Sequence, residues 1–246
     1  MRLRALTLFL LAVGCSGQSN LPSTKIILLD GWHNDEKQQL HYRWDGTYQG
    51  GFSELRELLR GLGGNLRTLK EPITARALQG ADCFIVVDPD TPAETESPRF
   101  FDDKEASAID EWVRQGGTLV LLGNDKGNAE FEHFNKVATR FGIKFVEGKH
   151  ANQQGVSKLK LKGDGKHPVF AGDLEFYGVD LAPLEVKAAG AEILMSDNGV
   201  ALMTIVKHGK GSVFALGDPW LYNEYIGSSD NRQIGQNLFR YLLWKR

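Results

Sequence analysis

Four apolar runs in this chain each stop at an acid or an amide: Ile26-Ile27-Leu28-Leu29-Asp30, Phe84-Ile85-Val86-Val87-Asp88, Leu119-Val120-Leu121-Leu122-Gly123-Asn124-Asp125 and Val213-Phe214-Ala215-Leu216-Gly217-Asp218. Short apolar runs bounded by turn residues are the pattern of strands buried on both faces of a parallel sheet. Helical stripes lie between them, so the expected fold class is α/β, a doubly wound and mostly parallel sheet. Ligands of open α/β sheets bind outside the carboxyl ends of the strands. The four runs therefore carry Asp30, Asp88, Asp125 and Asp218 to one edge, which locates a polar site without naming a reaction.

The helices between the runs have local signals. Leu55, Leu58, Leu59 and Leu62 recur at helical spacing after Ser53, and Gly61, Gly63 and Gly64 end that stripe. Asn65–Leu69 reads as a short strand, and Thr74–Gly80 as one or two helical turns. Asp102 followed by Glu105 forms a capping box before Ala106, Ile109, Trp112 and Val113. Asn128–Arg140 is expected to be a helix with Phe131, Phe134, Val137 and Phe141 inward. The second half reads as antiparallel strands at Val156–Lys162, Leu184–Lys187, Glu192–Ser196, Val200–Lys207 and Ser212–Leu216. Asn198-Gly199 marks a hairpin turn, and a last helix spans Asn231–Trp244.

The chain has 246 residues, enough for one large α/β domain. Its start differs from the rest. Met1-Arg2-Leu3-Arg4 is a basic segment, Ala5 to Val13 is apolar but too short to span a bilayer, and Val13-Gly14-Cys15-Ser16-Gly17 follows. That string resembles a bacterial lipobox, with Ala12 where Leu is usual. The basic and apolar segments read as a signal peptide over residues 1–14. The lipobox resemblance implies lipidation and membrane anchoring at Cys15 and a tether over 15–24, with a secreted or periplasmic protein as the first alternative and a cytosolic protein with an apolar start as the second. With no linker or internal repeat, residues 25–246 read as one domain. Loss of Arg2 and Arg4 would take the formal charge from −2 to −4. No Lys/Arg cluster dominates a face, which argues against nucleic acid as a partner. Cys83 has no internal disulfide partner once Cys15 is lipidated, and it opens a strand, the position of a buried structural thiol.

Segment Gly31–Gly51 is long for a connection and rich in rings: Trp32, His33, His41, Tyr42, Trp44 and Tyr48. Rings beside carboxylates suit sugars, since the ring face packs on C–H groups while acids and amides take the hydroxyls. A local satellite core would use the same rings. Asp88 and Asp90 could bind a hard cation or move protons, and Asx turns are the competing account, stronger for Asp90. Gly123-Asn124-Asp125-Lys126-Gly127-Asn128 lies where hydrolytic α/β enzymes hold a nucleophile, yet it has no Ser, Cys or Thr. Asn124 and Asp125 could instead bind a ligand, or cap the helix. Glu130 and His133, expected on one helical face, form a candidate acid/base pair with Asp125 as a third catalytic candidate. Asp218 and Trp220 repeat the acid-plus-ring theme, with Asn223 and Glu224 nearby. No His/Cys spacing suggests zinc and no glycine-rich phosphate loop follows the first strand, so neither a metal, a nucleotide nor another cofactor is expected.

Taken in order, Leu29-Asp30-Gly31-Trp32-His33-Asn34, Val87-Asp88-Pro89-Asp90-Thr91-Pro92, Leu121-Leu122-Gly123-Asn124-Asp125 with Glu130-Phe131-Glu132-His133-Phe134-Asn135, and Gly217-Asp218-Pro219-Trp220-Leu221-Tyr222-Asn223-Glu224-Tyr225 resemble an uncharacterised bacterial domain family. That family is similar in fold to type 1 glutamine amidotransferases, a flavodoxin-like arrangement. Related domains are attached to unsaturated rhamnogalacturonyl hydrolases of pectin-degrading bacteria, which makes pectin the candidate glycan. The resemblance implies an extracytoplasmic location and a carbohydrate context. Amidotransferases carry a Cys at the elbow where this chain has Asn124-Asp125, so amidotransferase chemistry is not expected. The expectation is a lipid-anchored module that recognises an oligosaccharide through Asp30, Trp32, His33, Trp44, Asp88, Asp90, Asn124, Asp218, Trp220 and Glu224. One alternative is a carboxylate-dependent carbohydrate hydrolase using Asp125, Glu130, Asp88 or Asp218 with His133 as proton carrier. Another is a protein-interaction scaffold docked through its aromatics.

Overall fold

The computed structural model describes residues 24–35 and 41–244. The signal segment 1–14, Cys15 and the tether up to residue 23 lie outside the described residues. The fold is mixed α/β with a mostly parallel central sheet. Five strands run parallel: β1 (Lys25–Asp30), β2 (Gly64–Leu69), β3 (Cys83–Val87), β4 (Thr118–Leu122) and β11 (Gly211–Leu216). Four join by antiparallel pairing: β5 (Ile143–Phe145), β8 (Leu184–Val186), β9 (Glu192–Asp197) and β10 (Val200–His208). The order across the sheet is β2-β1-β3-β4-β11-β10-β8-β5, with β9 also on β10. A separate hairpin pairs β6 (Lys158–Lys162) with β7 (Glu175–Val179).

Alternate strand residues feed opposite faces, as the two-residue period requires. Ile27, Leu29, Ile85, Val87, Val120, Leu122, Phe214 and Leu216 meet α1 (Ser53–Gly61) and α4 (Asn231–Leu243) through Leu55, Leu59, Ile234 and Leu238. Leu28, Phe84, Val86, Leu119, Leu121, Val213 and Ala215 meet α2 (Asp103–Arg114) and α3 (Phe131–Ala138) through Ala106, Ile109, Val113, Phe134 and Val137. The β6–β7 hairpin packs on the α4 side through Leu159 and Phe176. Cys83 is fully buried and its thiol pKa is pushed up, by burial first.

Three local expectations differ from the structure. Thr74–Gly80 forms turns rather than helix. The helix expected over Asn128–Arg140 begins at Phe131, because Glu130 is extended, donates its N–H to the Pro89 carbonyl at 3.1 Å and acts as the N-cap. The strands β5 and β7 were not read as such in the sequence. β5 has three residues, and β7 lacks a dense apolar run because only Phe176 and Gly178 face inward.

Candidate functional site

Strands β3, β4 and β11 are adjacent, with Val87 level with Leu122 and Leu122 level with Leu216. Neighbouring strands lie about 4.8 Å apart, so the residues just past these ends crowd together. Asp88 is held by its N–H on the Leu122 carbonyl (2.9 Å), and its carboxylate accepts from Tyr42 Oη (2.9 Å) and Asn124 Nδ2 (3.0 Å). Asn124 Oδ1 in turn accepts the Asp125 N–H at 2.9 Å. Burial and then Asp88 push the Tyr42 phenol well above its usual range, so it stays a neutral donor.

Asp218 is 3 % exposed. Burial drives its carboxyl upward, the N–H groups of Trp220 and Val179 oppose this, and Asp125 and Asp180 reinforce it, with the balance at about 7. Gly217 lets the next segment lie flat on the strand end: Ala182 N donates to its carbonyl at 2.8 Å, and a side chain there would collide with the Ala182 backbone. Asp180, which follows β7, is a member that sequence reasoning missed. Val179-Asp180 repeats the apolar-then-acid pattern of the other strand ends, but β7 itself had not been recognised.

Backbone strain collects here. Among the described residues six non-glycine positions have φ in the left-handed region, and Tyr42, Asp88, Asp180 and Trp220 are four of them. Each costs about 1–3 kcal/mol and persists only where surroundings over-determine it. Asn198, a fifth, belongs to the Asn198-Gly199 hairpin turn joining β9 to β10.

A row of tyrosines runs outward from this cluster. Tyr42 meets Tyr222 edge-on with centroids 5.8 Å apart, Tyr222 meets Tyr225 at 5.0 Å, and Tyr225 meets Tyr177 at 5.6 Å. The last three are half-buried, and burial followed by Asp218 pushes the Tyr222 phenol up. Two asparagines set the row. Asn223 donates to the Gly46 and Tyr48 carbonyls and accepts the Glu54 N–H at 3.0 Å, while its own N–H reaches the Gly51 carbonyl. It thereby caps α1, whose N-cap Phe52 has no capping side chain. Fully buried Asn231 takes the Tyr177 N–H and donates to the Tyr177 and Tyr225 carbonyls.

The other candidates lie apart from this cluster or serve the scaffold. Asp30 accepts from Trp32 N, His33 N and His33 Nδ1, and His33 Nε2 lies 3.2 Å from Glu105, so Asp30, His33 and Glu105 form a buried triad. His33 is 1 % exposed and stacked on Phe101. Burial alone would lower its pKa, but Asp30 and Glu105 outweigh burial and raise it to about 9, so it is an imidazolium at neutral pH. With both ring nitrogens committed inside the core, His33 offers no ligand contact. Glu105 combines the α2 capping box with this triad. Asp90 accepts from Asp35 N and Thr95 Oγ1, so it ties the segment after β1 to the one after β3 rather than closing an Asx turn, and Trp32 in the same hollow carries Arg99 over its ring at 4.0 Å. Trp220 is fully buried against Phe176, so it is core. Glu224 is exposed at the rim, with its N–H on the Gln49 carbonyl.

Glu130 and His133 do pair, with Nδ1 2.9 Å from Oε1, but Glu130 also caps the His133 N–H, and Phe100 stacks on the imidazole. Ligand atoms of Glu130, Glu132 and His133 lie within 4.8 Å of one another, a set that could hold a metal ion. Trp44 is 9 % exposed, donates Nε1 to the Arg67 carbonyl at 3.1 Å, and together with Tyr42 and Asp30 lines a cleft of about 330 Å³ between the β1–β2 ends and α1.

Solved structures share this fold at low identity. The mmIFT52 N-terminal domain is 18% identical with a TM-score of 0.64, covering 88% of this chain and 97% of that one. A cytoplasmic protein from Salmonella typhimurium LT2 is 16% identical with a TM-score of 0.62, covering 89% and 100%. An exo-β-1,4-mannosidase from Opitutaceae bacterium strain TAV5 is 15% identical with a TM-score of 0.50, where 89% of this chain matches 36% of the enzyme. No curated protein matches the chain in sequence. Residues 45–239, which span α1 through most of α4 and include Asp88, Asn124, Asp218 and the Tyr222–Tyr225 segment, match the model of DUF4350, a domain of unknown function, and the chain belongs to that family.

Proposed function

We propose that this chain is a carbohydrate-recognition module, held outside the cytoplasm by a lipid on Cys15. The observation that carries the reading is the half-buried tyrosine row leading away from the strand-end acids. Tyrosine faces and edges pack on the C–H surfaces of sugar rings, while Asp125 and Asp180, the carboxylates beside Asp218, would accept hydroxyl protons. The fold likeness to one part of a mannosidase agrees with a glycan context, as does the resemblance to domains that accompany rhamnogalacturonyl hydrolases. A fold of the amidotransferase kind is part of the same reading, with Asn124-Asp125 in place of the nucleophile.

Calorimetric titration of the full chain with oligosaccharides tests it. Binding is expected, weakened about tenfold by Tyr222→Ala, which removes one ring-to-sugar contact of roughly 1–1.5 kcal/mol. A folded protein that binds no glycan would sink the reading. A second reading, a hydrolase, is favoured by one observation: Asp218 keeps its proton toward neutral pH beside Asp125, an environment suited to a general acid with a neighbouring carboxylate. Equal product from native chain, Asp218→Asn and Asp125→Asn would remove it.

A further inference from the structure

The cleft beside Tyr42 carries charge that the tyrosine row does not explain. Arg43, Arg56, Arg60 and Lys70 line it together with Tyr42 and Trp44. Three acids also border it, yet two are turned to other partners. Asp30 is bound to buried His33, and Asp35 to Arg99 at 3.2 Å, which leaves Asp45. Arg56 and Arg60 share a single carboxylate, Glu57, at 2.9 and 3.6 Å. Lys70 is exposed and makes no ion pair among the described residues. The floor is fixed by close packing of the chain on β2: Gly31 N–H sits on the Leu69 carbonyl at 2.9 Å, and a Cβ at Gly31 would come within 2.6 Å of the Thr68 methyl. With Arg43 left out of the balance, Arg56, Arg60 and Lys70 stand against Glu57 and Asp45, so the cleft is a concave surface with a small cationic excess and two rings in its wall. Tyr42 is common to it and to the acid cluster through its bond to Asp88.

We infer that the ligand is an acidic glycan, whose carboxylate or sulfate group enters this cleft while neighbouring sugar rings lie along the tyrosines. Guanidinium forks match both groups, and a cation on each side of the cleft gives them a defined position. The inference rests on the carbohydrate reading, and it adds the charge of the ligand and the place where that charge is bound.

The test uses the full chain and three sets of oligosaccharides of equal length: hexuronic acid oligomers, sulfated hexose oligomers and neutral hexose oligomers. Calorimetry at low and high salt is run on the native chain, on Arg56→Gln with Lys70→Gln, and on Lys162→Gln, an exposed lysine on β6 that controls for bulk charge. The expected result is a preference for an acidic set that falls with salt. The double variant should lose about tenfold on that set, with no change for neutral oligomers or in the control. Preference for the carboxylated or the sulfated set supports the inference and names the group. Equal affinity for acidic and neutral oligomers, unmoved by the double variant, overturns the cleft's role and leaves the carbohydrate reading standing. No binding of any oligomer overturns both.

Discussion

At the scale of single residues, Asp218 couples stability to the site. Its folded pKa of about 7 exceeds the ordinary value of 3.8, so the folded state holds a proton that the unfolded chain has released over that interval. Stability therefore falls as pH rises from about 4 to about 7 and is then level. At about 1.4 kcal/mol per unit the difference is a few kcal/mol. Asp218→Asn keeps an acceptor for the Trp220 N–H and loses the titration. Urea unfolding is expected to show the variant gaining a few kcal/mol over the native chain at pH 8 and almost nothing at pH 4. An equal gain at both values would show that the carboxyl is not under this strain. The position of Asp218 was legible, because an acid after an apolar run ends a buried strand. Its burial was not, because that depends on the segment through Asp180 and Ala182 folding over the strand end.

At the scale of elements, caps divide into those written locally and those supplied from afar. The α2 cap is local: Asp102 accepts the Lys104 and Glu105 N–H groups at 2.8 Å, and Glu105 reaches back to Asp102. The spacing of two residues in the sequence shows it. The α1 cap comes from Asn223, 169 residues away from Glu54, and no window of sequence around α1 contains it. Asn223→Ala removes the cap and two carbonyl partners together, so it should destabilise the fold by roughly 1–3 kcal/mol, measured as a lower urea midpoint. It should also weaken oligosaccharide binding, since the same asparagine sets Tyr222 against Tyr42. A loss of stability with unchanged binding would separate the cap from the site. Glu130 shows the opposite case. Its sequence position suited a first helical turn facing the strand ends, but bonding to Pro89 held it extended and made it the cap of α3.

For the molecule as a whole, burial predicts a gradient of local stability. β3, β4 and β11 are buried along their whole length, whereas β2 is an edge strand with exposed positions and β6 alternates with exposed lysines. Amide hydrogen exchange is expected to be slowest in β3, β4 and β11 and faster by orders of magnitude in β2 and the β6–β7 hairpin. Uniform protection across all strands would contradict a core centred on the β3–β4–β11 ends. The acids that gather there were readable from four apolar runs, because burial on both faces of a sheet demands continuous apolar sequence and the first polar residue marks where it stops. The runs together with the helical stripes between them also implied a mixed α/β fold with a mostly parallel sheet. The sorting of the site was decided by the tertiary structure. It sent Asp30 and His33 into a triad with Glu105, buried Trp220, and added Asp180, Tyr222 and Tyr225. Those outcomes depend on contacts between segments far apart in the chain, and the energy of such contacts is settled by which surfaces meet once the sheet has formed.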